Sequence, residues 1–223
     1  MMSTTVSLQQ KVLSENDRRA ADIRRTLAEK RIFAINLVSS PGSGKTRLLE
    51  RTLVALKDSL RMSVIVGDVQ TENDADRLKR AGGRAVHPIV TGGACHLDAT
   101  MVARALEHVN LDRVDVLFIE NVGNLVCPAS YDLGEDLKAV LISTTEGDDK
   151  PLKYPAMFRR SSIMILNKID LLGMSDFDLD RVKANALRIN GRLEIFDVSS
   201  TRGDGLEAWY RWLSGRVRAK RDG

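Results

Sequence analysis

Short apolar runs alternate with longer amphipathic stretches along almost the whole chain. The runs cover residues 32–38, 62–68, 85–89, 114–120, 137–143, 163–166 and 193–198, and each reads as a buried strand. Between them, apolar positions recur at helical spacing. After the first run, Leu48, Leu49, Thr52, Leu53 and Leu56 share one helical face. Further helices are expected from Thr71 and Glu72 onward, from Cys95 through His108, over 179–189 and over 205–217. Strands alternating with helices, without a Gly/Pro/Ser-rich linker or an internal repeat, predict an α/β fold. Its sheet is expected to be mostly parallel, with helices covering both faces. Ligands in such sheets bind beyond the carboxyl ends of the strands. Ahead of this pattern, Val12, Leu13, Ala20, Ile23 and Leu27 recur at helical intervals. Residues 1–31 are therefore expected to form one or two helices packed on a domain spanning 32–223, with Ser14-Glu15-Asn16-Asp17 able to interrupt or bend them.

The first strand runs into Ser39-Ser40-Pro41-Gly42-Ser43-Gly44-Lys45-Thr46, and a helix follows. Strand, glycine-rich loop, Lys-Thr and helix form the context of a phosphate-binding P-loop. Gly42, Ser43 and Gly44 let backbone N–H groups curl around an anion. Lys45 supplies charge for the β- and γ-phosphates, and Thr46 offers a hydroxyl to Mg²⁺. The usual pattern starts with glycine, and here Ser39 stands there. The fold expected is that of a P-loop NTPase.

Asn167-Lys168-Ile169-Asp170 directly follows a strand and matches the guanine-reading tetrapeptide of GTP-binding proteins. A carboxylate accepts from both N1–H and the 2-amino group of guanine, a donor pair that adenine lacks. Asp170 would discriminate, Asn167 would brace the loop, and the Lys168 stem would lie along the base. Ser200 falls in a later loop that would back the base. Glu120 ends a strand where a carboxylate orders Mg²⁺ or its waters, and Gly123 could offer its N–H to the γ-phosphate. Asp68 and Asp74 lie where the γ-phosphate would be sensed. No glutamine stands where a small regulatory GTPase places its water-orienting residue. Hydrolysis of GTP to GDP is therefore expected to be slow, with Lys45, Asp74 and Glu120 as its catalytic groups.

Charge changes this picture little. The 34 basic and 30 acidic side chains leave a formal +4, too balanced to argue for nucleic acid. Arg216, Arg218, Lys220 and Arg221 read as a solvated helix end. No stretch has the apolar length to span a bilayer, and the first ten residues lack the layout of a secretory signal. A cytoplasmic protein is expected, whose two cysteines stay reduced.

Those cysteines, Cys95 and Cys127, suggest a second chemistry. Cys95 precedes His96 after the third strand, and Cys127 follows the strand ending at Glu120. Both loops should emerge at the phosphate-loop edge. Taking Cys95 to open a helix, its thiol pKa should fall, favouring a thiolate. Two sulfurs and one imidazole suit Zn²⁺ or Ni²⁺ and leave the shell open, or completed by a second subunit. The plainer reading is two half-buried cysteines acting as small hydrophobes, with His96 capping a helix. His87 and His108 read as structural.

Taken together, these motifs resemble the HypB family of hydrogenase maturation GTPases, which are nickel-insertion metallochaperones. The resemblance runs from about Ile32 to the end. Its marks are the phosphate loop, Asn-Asp-Ala-Asp-Arg at 73–77, Thr-Gly-Gly-Ala-Cys-His-Leu-Asp-Ala at 91–99 and Glu-Asn-Val-Gly-Asn-Leu-Val-Cys-Pro-Ala at 120–129. Thr-Glu-Gly-Asp-Asp-Lys at 145–150 and Asn-Lys-Ile-Asp complete them. Ser39 belongs to the variation this family shows. The resemblance implies a G domain that forms a homodimer with GTP and holds nickel or zinc near the dimer contact through Cys95, His96 and Cys127. It also implies that other hydrogenase maturation proteins and the hydrogenase large subunit are partners. The amino-terminal cysteine cluster and the His-rich tract that some members carry are not in this sequence, so tight sequestration and storage are not expected of it. A urease-type nickel GTPase would carry Cys-Pro-His, whereas Ala129 follows Cys127-Pro128 here. A regulatory GTPase without metal, or a nucleotide-binding scaffold without turnover, would leave the cysteines incidental.

Overall fold

The computed structural model describes residues 2–69, 73–82, 85–174 and 176–223, with side chains from residue 10 onward. Seven strands among these residues make one sheet: β1 (Phe33–Ser39), β2 (Met62–Asp68), β3 (Ala85–Val90), β4 (Val116–Glu120), β5 (Leu137–Ser143), β6 (Ile163–Asn167) and β7 (Glu194–Asp197). Their order is β3-β2-β4-β1-β5-β6-β7, and every pairing is parallel. The helices are α1 (Met2–Glu29), α2 (Lys45–Leu56), α3 (Asn73–Arg80), α4 (Ala99–Leu106), α5 (Lys150–Lys153), α6 (Pro155–Arg160), α7 (Leu179–Ile189) and α8 (Leu206–Asp222). The expected α/β fold with a parallel sheet between helical layers is therefore present.

Burial on both faces explains why the runs are mostly apolar rather than regularly alternating with polar residues. Phe33, Ile35 and Leu37 face one layer, packing with Leu48, Leu49 and Leu53 of α2 and Trp209, Leu213 and Val217 of α8. Their neighbour Ala34 faces the other way, toward Ala20, Ile23 and Leu27 of α1 and Val102 of α4. Val38, Val140, Ile142 and Met164 meet Phe158 of α6 and Val182 of α7. The indole N–H of Trp209 donates to Thr52 Oγ1 at 3.0 Å, so this large buried ring leaves no donor unsatisfied.

Several local expectations change. The first helix does not break at Ser14–Asp17. Ser14 returns its hydroxyl to the Lys11 carbonyl, and the Asn16 amide is consumed in tertiary contacts to the Asp132 carbonyl and the Ala99 N–H. Thr71 and Glu72, expected to open α3, lie outside the described residues. Cys95 does not open a helix, because α4 starts at Ala99 with Asp98 as its cap, accepting from the Met101 N–H. The last helix continues past 217, held by Lys220 on Asp136 and by Arg31 on the Arg221 carbonyl.

Helix α1 docks over Gly134, whose φ is +83°, and a Cβ there would lie 2.7 Å from the Ala20 carbonyl and from Ile23. Gly134→Ala is expected to destabilise the chain by about 1–3 kcal/mol through overpacking and left-handed strain. Urea unfolding of the two proteins measures this.

The chain leaves the adjacent strands β1 and β4 toward opposite sides of the sheet, β1 to β2 and β4 to β5. Their carboxyl ends therefore frame a crevice at the topological switch point.

Candidate nucleotide site and thiol–imidazole cluster

A cavity of about 470 Å³ occupies that crevice. The loop between β1 and α2 forms its floor, with Gly42, Gly44, Lys45 and Thr46 on the lining. Asp68, Asp74, Glu120 and Gly123 complete the wall. The volume is within the usual range for a small-ligand pocket. Gly42 and Gly44 both have positive φ, +74° and +99°. A side chain on Gly44 would also sit 2.4 Å from the Asn167 amide. Gly123 passes so close to Pro41 that a Cβ would lie 3.0 Å from its Cα, so the segment after β4 lies against the phosphate loop.

Polar contacts inside the cavity are few and short. Lys45 Nζ donates to Ser39 Oγ at 2.8 Å, so the serine replacing the usual first glycine is the lysine's partner. Burial lowers the Lys45 ammonium, with Glu120 and Asp74 pulling back. Thr46 Oγ1 donates to Glu120 Oε1 at 2.7 Å, while Glu120 Oε2 is buried without a hydrogen-bond partner among the described residues. That orphaned oxygen beside a threonine hydroxyl is the donor set that a Mg²⁺ ion, with its preference for oxygen ligands, would use. Asp74 is paired with Arg77, which also binds Glu50.

Burial pushes the Glu120 carboxyl up to about 7 from an ordinary 4.5, against the pull of Lys45 and Thr46. The nucleotide-free fold then holds a proton that the unfolded chain has released. Stability should fall as pH rises from 4.5 to 7, by about 3 kcal/mol at most. Glu120→Gln is expected to flatten that dependence, read from urea midpoints at about pH 5 and about pH 8.

The base-side residues are knitted behind the loop. Asn167 Nδ2 donates to the Ser43 carbonyl at 2.9 Å, and its Oδ1 accepts from Ser200 N and Oγ. Lys168 adopts φ +63°, its carbonyl held by Thr144 Oγ1 at 2.7 Å. Asp170 follows on a 3₁₀ turn, and its Oδ1 is buried without a hydrogen-bond partner among the described residues.

Two residues beside the phosphate loop carried no assigned chemistry in the sequence. Glu146 Oε1 accepts from Ser43 Oγ at 2.6 Å, and Lys150 bridges Glu146 and Ser40. Burial pushes the Glu146 carboxyl up, but the Ser43, Ser40 and Lys150 hydrogen bonds outweigh it and hold the group low. The 145–150 stretch is therefore a strap on the phosphate loop. Its spacing was visible in the sequence, but its long-range partners were not.

Cys95, His96 and Cys127 converge near the same rim, with one ligand atom from each lying within 4.8 Å of the others. The sulfurs are 3.1 Å apart, and Cys95 Sγ is 3.8 Å from His96 Nδ1. Ligands at about 2.3 Å on a tetrahedral ion stand about 3.8 Å apart, so this cluster needs little movement to enclose one. His96 lies tilted against Tyr131, ring centroids 4.0 Å apart, and does not cap α4. Burial keeps its imidazole low, in the neutral form that ligates. The Cys95 sulfur alongside, and then burial, push the Cys127 thiol up.

The comparisons with known proteins bear on both sites. A family model described as the CobW/HypB/UreG nucleotide-binding domain matches residues 33–197. The hydrogenase maturation factor HypB of Rhizobium leguminosarum bv. viciae is 54% identical over 208 residues, which are 93% of this chain and 69% of that protein. The chain belongs to the HypB family of hydrogenase maturation factors. The crystal structure of HypB from Helicobacter pylori in complex with nickel superposes with a TM-score of 0.87 at 41% identity, covering 92% of this chain and 96% of that one. HypB from Archaeoglobus fulgidus gives 0.85 at 39% identity, covering 92% and 99%. The family's fold is that of a P-loop NTPase, and it is the fold described above. Among the described residues, no helix is long and apolar enough to cross a membrane.

Proposed function

We propose that this chain is a GTP-hydrolysing metallochaperone. It takes Ni²⁺, or Zn²⁺ in its place, at Cys95, His96 and Cys127, and assists nickel insertion into a [NiFe]-hydrogenase. One observation carries the reading. The segment from Glu120 to Cys127 starts on the Thr46 hydroxyl and ends on a sulfur 3.1 Å from Cys95. The phosphate cavity and the soft ligands thus share one short stretch of chain.

In this reading Lys45 leaves Ser39 for the β- and γ-phosphate oxygens. Thr46 and Glu120 would hold Mg²⁺, which neutralises charge developing on the phosphates. Gly123 offers its N–H to the γ-phosphate, and Asp74, held by Arg77, orients the attacking water. Asn167, Lys168, Asp170 and Ser200 enclose guanine. Loss of the γ-phosphate releases the Glu120–Gly123 backbone, and Cys127 shifts with it, changing metal affinity. A second copy would complete the metal shell. Val126, beside Cys127, is apolar and 62% exposed, a side chain such a contact would cover. Further partners would be other hydrogenase maturation proteins and the hydrogenase large subunit. The setting would be the reducing cytoplasm, where both thiols stay free, as they are here.

Phosphate release from GTP and from ATP, and nickel titration in the GDP and GTP-analogue states, test the reading. GTP-selective turnover with different nickel affinities in the two states is expected. Equal turnover of both nucleotides, or one nickel affinity throughout, would overturn it, because coupling requires a difference between states.

A further inference from the structure

The chain from Glu120 to Cys127 can move only one of the two thiols directly. Cys95 and His96 sit on a different loop, so a second connection must reach them if the cluster is to open or close as a unit. The structure contains two: an exposed contact, in which Asn124 Nδ2 donates to the Cys95 carbonyl at 3.2 Å, and a buried one through Asn121. Asn121 follows Glu120 and is 1% exposed. Its Oδ1 accepts from the Leu97 N–H at 3.1 Å and from the Val122 N–H at 3.0 Å. Leu97 is the residue after His96. The Asn121 amide is itself pinned, donating to Asn36 Oδ1 at 3.3 Å, and Asn36 donates to Glu135 at 3.1 Å.

The same loop is tied to the cavity at two further points. At its start, the Thr91 N–H donates to the Asp68 carbonyl at 2.9 Å. Near its end, the fully buried Leu97 side chain lies over Gly67, where a Cβ would meet it at 2.7 Å. Leu97 is thus held between the carboxyl ends of β2 and β4, both of which border the phosphate cavity. A buried N–H cannot be left without an acceptor cheaply. If the backbone at 120–123 moves to meet or release a γ-phosphate, Leu97 must follow Asn121, and His96 and Cys95 follow Leu97.

We propose that Asn121 is the positioning residue that moves the Cys95–His96 loop with nucleotide state, in concert with Cys127. This deepens the metallochaperone reading and rests on it. Asn121 also lines the phosphate cavity, beside Glu120 and Gly123. It acts through the Leu97 amide.

Nickel affinity is measured for the wild-type chain and for Asn121→Ala, each saturated with GDP or with a non-hydrolysable GTP analogue. Coupling between sites is commonly about 5- to 150-fold, and the wild-type ratio of nickel affinities is expected in that range. In Asn121→Ala the ratio should fall to within about twofold of one, with stoichiometric nickel still bound in the GDP state. A merely structural role would lower the unfolding midpoint and leave the ratio intact, and that result would overturn the proposal.

A second measurement needs no variant. In the metal-free wild-type chain, the Leu97 amide resonance should shift when GDP is exchanged for the analogue. An unchanged Leu97 resonance, with resonances at 120–123 moving, would sink the inference while leaving the metallochaperone reading standing. A wild-type chain that binds no nickel would remove that reading, and the Leu97 resonance would still decide whether Asn121 transmits nucleotide state.

Discussion

Asp170→Ala is expected to lower GTP affinity by about a thousandfold, with ATP binding changed far less. Two charge-assisted hydrogen bonds from guanine, each worth about 1.5–3 kcal/mol, account for a loss of that size. The structure gives a reason to expect the full effect. Among the described residues, Asp170 Oδ1 is buried without a hydrogen-bond partner, which leaves that oxygen for the base. Its loop is also held before any ligand arrives. Lys168 sits in the left-handed region, Thr144 Oγ1 donates to the Lys168 carbonyl, and the Ile169 N–H donates to the Val198 carbonyl at 3.2 Å. Little ordering remains to be done on binding, so removing the carboxylate removes its contribution directly. Competition of GTP and ATP against a fluorescent guanine nucleotide measures both affinities. A variant that binds GTP as the wild type does would show that Asp170 serves the fold rather than the base.

Cys127→Ala is the second large expected effect. Nickel affinity should drop by more than the roughly 10- to 100-fold that follows loss of a residue supporting a ligand, because a ligand itself is lost. Cys95→Ala should match it, and the double variant should show no stoichiometric nickel. The two thiols stand 3.1 Å apart and act on the same ion, so their losses are expected to be far from additive. The fold should survive, since Cys95 is exposed and neither sulfur belongs to the apolar core. Thiolate-to-metal absorbance during nickel titration, alongside thermal unfolding, separates ligand loss from misfolding. Retained stoichiometric nickel in the double variant would return the cysteines to the role of small hydrophobes.

Much of the architecture was legible because its causes are local. The runs at 32–38, 62–68 and 114–120 are mostly apolar on both faces, as a parallel strand covered on both sides requires, and each became a strand within one or two residues. The phosphate loop was legible for the same reason: glycine at 42 and 44 is needed for backbone conformations that are set within the loop itself. Local signals also misled. Ser14 to Asp17 look like a helix break, because such residues often turn their side chains onto nearby backbone. Asn16 instead spends its amide on Asp132 and Ala99, more than eighty residues away, and the helix continues. Cys95, after the third strand, was expected to open a helix. The cap that decides the boundary is Asp98.

Residue types and their intervals were enough to establish a parallel α/β chain, a phosphate loop, a guanine-type tetrapeptide and a scatter of soft ligands, since each depends on neighbours a few positions away. The meeting of those parts was settled only in three dimensions. It took the crossing of the chain at β1 and β4 to set Glu120 on Thr46, and the partner of Lys45 at Ser39 to explain the missing first glycine. It took the fold to bring Glu146 onto Ser43 and to hang the Leu97 amide on Asn121. A hydrogen bond is directional and short-ranged, so it is chosen by whichever groups the packed sheet brings within about 3 Å, and no periodicity along the chain encodes that choice.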